Sequence, residues 1–502
     1  MARINTPRSH SLPPLMFLHA LLVLGLVGLA FAILSGNIVL LAAIVAAPLG
    51  LLIFGYGIHN PRFAFLLVGL YACSFMTIGR YLYIDKLSVG VDVLLLYWTA
   101  AILIHYYLYP GSINLRRAIN PLTLSYMVWM LFTAIEFLNP GTGGEGMERG
   151  LRTTITSYFV LYSCTSILTD NQKTLRQALI FGAILTAIAF IKLMIQRYWG
   201  FDAAEKYFLY VQGGATTHII GYGNRYFSIF SDSANFGAFM GTMATIYSIA
   251  YFGAPSRRWS IFYIVVALMA VTGILLSGTR SAMVIPAAGM ALYCLLCKKV
   301  QLFITTAFIG LAAFVFFAFT DIGDDNTFIR RARTAFRPSK DASFNVRVEN
   351  RKEIAAYLAE HPMGAGINAS IAKLWFDEAT GTYNEGTLPP DSHYVNVWIQ
   401  NGQIGIFLYV GMHAFWILTG SFFVLFRVRN RELCMQMAAF TCGIFGLFVS
   451  GYANDAITQY PNNIITAVAI AFVMNGPYID RQLREQRAAT SLPNTPQEIS
   501  AI

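Results

Sequence analysis

About fourteen stretches of the chain are apolar for long enough to cross a bilayer, and short links separate most of them. A hydrocarbon core of about 30 Å takes roughly 20 residues of helix. Runs of that order lie near 14–35, 37–55, 63–79, 91–109, 122–138, 152–168, 177–196, 233–252, 259–276, 282–297, 300–320, 394–426, 433–452 and 463–476, the last one interrupted. They predict an all-α polytopic membrane protein. The first run reads as a span and not as a cleaved signal, because no small-residue cleavage site follows it.

The links set the orientation. With Arg3 and Arg8 in the cytoplasm and the spans alternating, the inside links hold Arg62, Arg116 and Arg117, Lys173 and Arg176, Arg257 and Arg258, Lys298 and Lys299, and Arg427, Arg429 and Arg431. Arg481, Arg484 and Arg487 follow the last run. Every short inside link is basic, as the positive-inside rule requires. Both termini are therefore expected in the cytoplasm.

Three long segments fall outside: about 139–151, 197–232 and 321–393, the last between the eleventh and twelfth spans. A loop this long is functional or disordered, and a helix from about Asn345 to Glu360, stopped by Pro362, predicts partial order. The chain divides into an N-terminal transmembrane bundle (1–232), a second transmembrane region carrying the large loop (233–476) and a disordered cytoplasmic tail (477–502). No repeat of fixed period is visible, which weighs against an inverted-repeat transporter.

Composition agrees. Of 502 residues, 56% are hydrophobic and 12% charged, against about 25% charged in soluble domains. The formal net charge of +10 is absorbed by inside links and phosphate binding, since no basic, aromatic-interleaved module for nucleic acid is present. All six cysteines sit in apolar runs. Cys294 and Cys297 form a CxxC without a further Cys or His nearby, so they read as small buried hydrophobes.

Charged groups at membrane level mark function or buried pairs. Arg280, in Ser277-Gly278-Thr279-Arg280-Ser281, lies where one run ends outside and the next begins; the plain alternative is an arginine touching lipid phosphates. In the large loop, Arg347 and Arg351 are four apart and share one helix face, an arrangement that suits a diphosphate. The surrounding Arg330, Arg331, Arg333, Arg337 and Lys340 read as a solvated basic face, and Lys352 adds to the charge. His393 stands directly before an apolar span, and an imidazole suits removal of a proton from a sugar hydroxyl. Asp391 or a neighbour would orient it. Lesser candidates for phosphate or sugar are Arg80 and Lys86, and Arg225 with Asp232 and Asn235. The aromatic stretch Tyr207 to Tyr226 would stack sugars or form an interfacial belt, and Gly237 with Gly241 reads as close helix packing. The outer acids Asp321, Asp324, Asp325, Asp377 and Glu378 look like solvated loop, so no metal site is expected.

Three strings resemble the O-antigen ligase and polymerase superfamily of bacterial inner-membrane glycosyltransferases. They are Ser277-Gly278-Thr279-Arg280-Ser281-Ala282; Arg347 followed by Glu360-His361-Pro362-Met363-Gly364-Ala365-Gly366; and His393 through Asn396, Asn401, Gly402, Gly405 and Ile406. Phe230 to Phe239 with Asn235 is similar to an upstream element. Together they cover about 225–420. Ser281 stands where glycine is commoner, Tyr394 where asparagine usually follows the histidine, and Arg351 where an aromatic is frequent.

The resemblance implies a C-type glycosyltransferase fold with its active site facing the periplasm. The donor would be a glycan on undecaprenyl diphosphate, with His393 as general base and Arg280 and Arg347 on the diphosphate. Arg351, Arg225, Arg80, Lys86, Asn235 and Tyr394 would bind substrate. No cofactor is implied. The expected partners are the lipid-linked oligosaccharide, membrane lipids, a flippase and a chain-length regulator. About fourteen spans favour a polymerase of surface polysaccharide (O-antigen, capsule or exopolysaccharide). A ligase acting on lipid A core or on protein shares the chemistry, and a transporter of lipid-linked sugars is the reading from another class.

Overall fold

The computed structural model describes residues 38–491 apart from 85, 221–222, 298–299, 324, 326–328, 331–332, 334–341 and 378–381, together with scattered positions between 23 and 35. Arg3, Arg8, most of the first predicted run, Lys298, Lys299, Asp324, Arg331, Arg337, Lys340, Glu378 and residues 492–502 thus lie outside the described residues.

Helices occupy the other predicted runs. In chain order they are α1 (Ile38–His59), α2 (Pro61–Leu82), α3 (Val89–Leu108), α4 (Pro121–Glu136), α5 (Gly144–Leu151), a π-helical segment Arg152–Val160 continuing into α6 (Leu161–Leu168), α7 (Gln172–Tyr198) and α8 (Ala203–Tyr210). After the outer segment come α9 (Ser233–Ala250), α10 (Arg257–Ser277), α11 (Arg280–Leu296), α12 (Val300–Phe319), α13 (Ala342–Glu360), α14 (His393–Phe422), α15 (Arg431–Ser450) and α16 (Asn462–Ser491). Among the described residues, seven of them (α2, α3, α7, α10, α14, α15 and α16) are long and apolar enough to cross a membrane. Others fall short for visible reasons. α4 has 16 residues and α11 has 17. α9 is rich in Gly, Ala, Ser and Thr because it is buried among other helices rather than facing lipid.

Small residues bring the central helices into backbone contact. A side chain at Gly237 would strike the Ser277 hydroxyl at 2.7 Å, and one at Gly446 would strike the Ile285 carbonyl at 2.2 Å. α9, α11 and α15 therefore pack against one another closely, and the predicted role of Gly237 and Gly241 is met. At one end of the bundle the basic links expected inside gather with acids: Asp170 pairs with Arg62 at 2.7 Å and Arg117 at 3.0 Å, and Glu432 pairs with Arg176 at 2.8 Å.

One expectation is corrected. The tail is not irregular from 477: α16 runs on to Ser491, because buried Asp480 accepts the Arg429 and Asn430 N–H groups and pairs with Arg484, and Arg481 pairs with Glu485 one turn on. The run 394–426 falls on a candidate span that carries a kink. α14 breaks at Gly402 (φ 61°, ψ −163°), where the turn Pro362-Met363-Gly364 presses in so tightly that a Cβ would meet the Pro362 carbonyl at 2.1 Å. The hydrogen bonds are exchanged accordingly: Gln403 N–H donates to Pro362 O at 3.0 Å, and Ile399 O accepts from Ala365 N–H at 2.7 Å. The large loop carries α13, as expected from Asn345 to Glu360, and also an antiparallel hairpin of Ala372–Asp377 with Thr382–Thr387.

Candidate active site

The break at Gly402 builds the site. Sixteen residues of continuous helix would separate His393 from Tyr409 by about 24 Å. Instead the two arms of α14 fold toward each other, and the Tyr409 hydroxyl lies 2.8 Å from His393 Nε2. His393 is 4% exposed. Its backbone N–H donates to Gly451 O at 2.9 Å and Asn454 O at 3.0 Å, and Ser392 caps the helix start. Nδ1 faces Asp455 Oδ1 at 2.5 Å. That contact places the ring proton on Nδ1 and leaves the Nε2 lone pair for a hydroxyl, here that of Tyr409.

Asp391, which with its neighbours was a candidate to orient the ring, turns instead to Arg347 (Nε to Oδ1 3.9 Å). The orienting acid is Asp455, in the link between α15 and α16. This link also holds Asn454, whose amide donates to the Ser281 hydroxyl at 2.9 Å. The string around Arg280 and the histidine are thereby tied through one residue.

Arg225 donates to the Thr279 hydroxyl at 3.0 Å, and Thr279 in turn donates to Ser233 O at 2.8 Å. Burial lowers the Arg225 pKa, and the nearby charges of Arg280 and Arg347 lower it further, against the opposing pull of Asp232. Three guanidiniums from three separate segments thus lie within electrostatic reach of one another, and Arg347 reaches Asp391, two residues before His393. Such a gathering of guanidiniums suits a polyanionic ligand. His218, which the sequence reading passed over, supports it from behind. Its Nε2 accepts the Ser233 N–H at 3.3 Å, and burial lowers its pKa, which keeps the ring neutral for that role.

The other candidates fall into place around this centre. Arg351, one turn from Arg347, donates to Tyr452 O at 3.3 Å and lies over the Tyr452 ring at 4.4 Å, so it docks α13 onto the link that carries Asp455. Asn235 is fully engaged, donating to Ser231 Oγ and Tyr460 O and accepting from Asn462. Tyr394 donates to Phe448 O at 2.8 Å. Arg80 is held by Phe230 O at 2.8 Å between the rings of Phe208 and Phe227. Lys86 sits exposed on the turn after α2 with φ 61°. Neither of the last two is brought into contact with His393.

Residues 264–410 match the O-antigen ligase family. The matched stretch is under a third of the chain and holds Arg280, Arg347, Arg351, His393, Gly402 and Tyr409, while Arg225 and Asp455 lie outside it. No curated protein matches the chain. The chain is a membrane protein in which the stretch similar to O-antigen ligases holds the histidine and two of the three arginines.

The Asp455 contact makes a direct prediction. Asp455→Asn keeps the shape but removes the charge that holds the imidazole in its working tautomer, so turnover is expected to fall about 10²-fold or more. Initial-rate measurements at saturating substrate check it; an unchanged kcat would remove Asp455 from the mechanism.

Proposed function

We propose that the protein is a polysaccharide polymerase of the bacterial inner membrane, with about fourteen spans, both termini inside and the His393 centre facing the periplasm. It transfers a growing glycan from undecaprenyl diphosphate to the terminal sugar of a lipid-linked repeat unit. The observation that carries this reading is a histidine held by a carboxylate beside three arginines, in a region matching the O-antigen ligase family.

In the reaction, the acceptor hydroxyl gives its proton to His393 Nε2 as its oxygen bonds to the anomeric carbon of the donor. The bond from that carbon to the diphosphate oxygen breaks, and the diphosphate departs with the electron pair. Asp455 stabilises the imidazolium that forms, and Arg280, Arg347 and Arg225 stabilise the charge gathering on the leaving group. A divalent cation would serve the same purpose, and the guanidiniums supply it from the protein.

The match to O-antigen ligases favours a second reading, transfer of finished polysaccharide to lipid A core. Acceptor choice separates the two. Purified protein given only lipid-linked repeat units is expected to produce a ladder of lengthening glycans. Transfer that starts only when lipid A core is added would establish the ligase.

A further inference from the structure

A cavity of about 310 Å³ lies in the crook of α14, on the Tyr409 side of His393. Its lining is mostly neutral and polar. Trp129 and Tyr158 contribute aromatic faces, and Thr154, Asn396 and Gln400 contribute neutral hydrogen-bonding groups, with His393 in the wall. Arg149 also lines it and donates to Asn368 Oδ1 at 2.6 Å. None of Arg225, Arg280 and Arg347 lines it, so the cavity is separate from that arginine cluster.

This lining suits neither of the other parts of a lipid-linked substrate. A diphosphate calls for several converging cations, where this wall has Arg149 alone, already bonded to Asn368, and a polyprenyl chain calls for an unbroken apolar wall. A saccharide ring presents C–H faces that pack on aromatic rings and hydroxyls that pair with amides and threonines. The volume sits at the small end of the roughly 300–1,000 Å³ typical of small-molecule sites, which fits the end of a glycan and not a long stretch of it. The Tyr409 hydroxyl already occupies the position that an attacking hydroxyl needs, 2.8 Å from Nε2.

We infer that this cavity is the acceptor site: it takes the terminal saccharide ring of the acceptor, whose attacking hydroxyl replaces that of Tyr409 at His393 Nε2. The inference rests on the glycan-transfer reading and adds to it a direction, with the acceptor entering on one side of the histidine and the donor diphosphate on the other. Asn396 and Thr154 become specificity-determining residues for the acceptor alone.

The test uses the full-length purified protein and two variants, Asn396→Ala, which removes hydrogen-bonding groups, and Thr154→Leu, which fills space. Two readouts are taken: the acceptor and donor KM in transfer, and equilibrium binding of the delipidated repeat-unit oligosaccharide cleaved from the producing cell's own polysaccharide. Each variant is expected to raise the acceptor KM and the oligosaccharide Kd about tenfold, with the donor KM nearly unchanged. Unaltered acceptor KM and Kd in both variants, with the wild type transferring normally, would overturn the acceptor site and leave the glycan-transfer reading standing. Oligosaccharide binding that weakens in both variants of a protein unable to transfer would overturn the transfer reading and keep the cavity as a saccharide site.

Discussion

His393→Ala is expected to lower glycan transfer by about 10²–10⁴-fold, the range a positioned general base contributes, while the protein still binds its lipid-linked donor. The split follows from where the histidine sits. Its ring nitrogens contact Asp455 and Tyr409, and in the proposed reaction the charge for the diphosphate comes from Arg225, Arg280 and Arg347. Removing the imidazole deprives the acceptor hydroxyl of its proton acceptor and leaves the donor's anchors in place. Initial rates with the lipid-linked repeat unit, beside donor binding measured on the same preparations, check it. Equal loss of binding and turnover would instead make His393 a structural residue, its ring tying the start of α14 to Asp455.

Arg280→Ala and Arg347→Ala are each expected to reduce transfer about 10²–10³-fold, comparable to removing a preorganised donor that faces developing charge. The lysine variants should recover part of the loss, since they keep the charge but lose the planar fork that engages two phosphate oxygens. Because the proposed reaction assigns neutralisation of the leaving group to these guanidiniums, a chelator is expected to leave the wild-type rate unchanged. Rate constants for the four variants, and for the wild type with and without chelator, are the measurements. Full activity in the alanine variants would send the arginines back to lipid headgroups.

Much of the fold was legible because a bilayer imposes a simple rule of length and polarity, and the predicted runs from 37 onward coincide with helices. The large loop's helix was equally plain, since Pro362 marks its end and α13 closes at Glu360. What escaped was geometry that depends on distant contacts. Gly402 stood out only through its place in a resemblance string, and it is the turn from Pro362 to Gly364, some forty residues earlier, that turns it into a break. For the same reason nothing in the run marks Tyr409, which folds back onto His393 Nε2.

The site was legible in part. Arg280, Arg347 and His393 could be picked from charge and position, and the structure brings them to one region. Asp455 was missed because it lies in a short link that was not counted among the long outer segments, though its signal was present: an acid in the polar stretch Gly451-Tyr452-Ala453-Asn454-Asp455 on the same side as His393. Arg351 and Asn235 were chosen for their chemistry. Their hydrogen bonds are spent on Tyr452, Ser231 and Tyr460, which positions the elements around the centre. Sequence shows which groups are present, and only packing shows which are already satisfied.

The central claim is that one histidine, backed by Asp455 and faced by arginines, moves a glycan off a lipid diphosphate. It is tested most directly by counting free undecaprenyl diphosphate against new glycosidic bonds in a reconstituted reaction of the wild type and His393→Ala. The account predicts one lipid diphosphate released for each bond formed by the wild type, with both products nearly absent from the variant. Glycan bonds formed without release of lipid diphosphate, or formed equally well by His393→Ala, would contradict it.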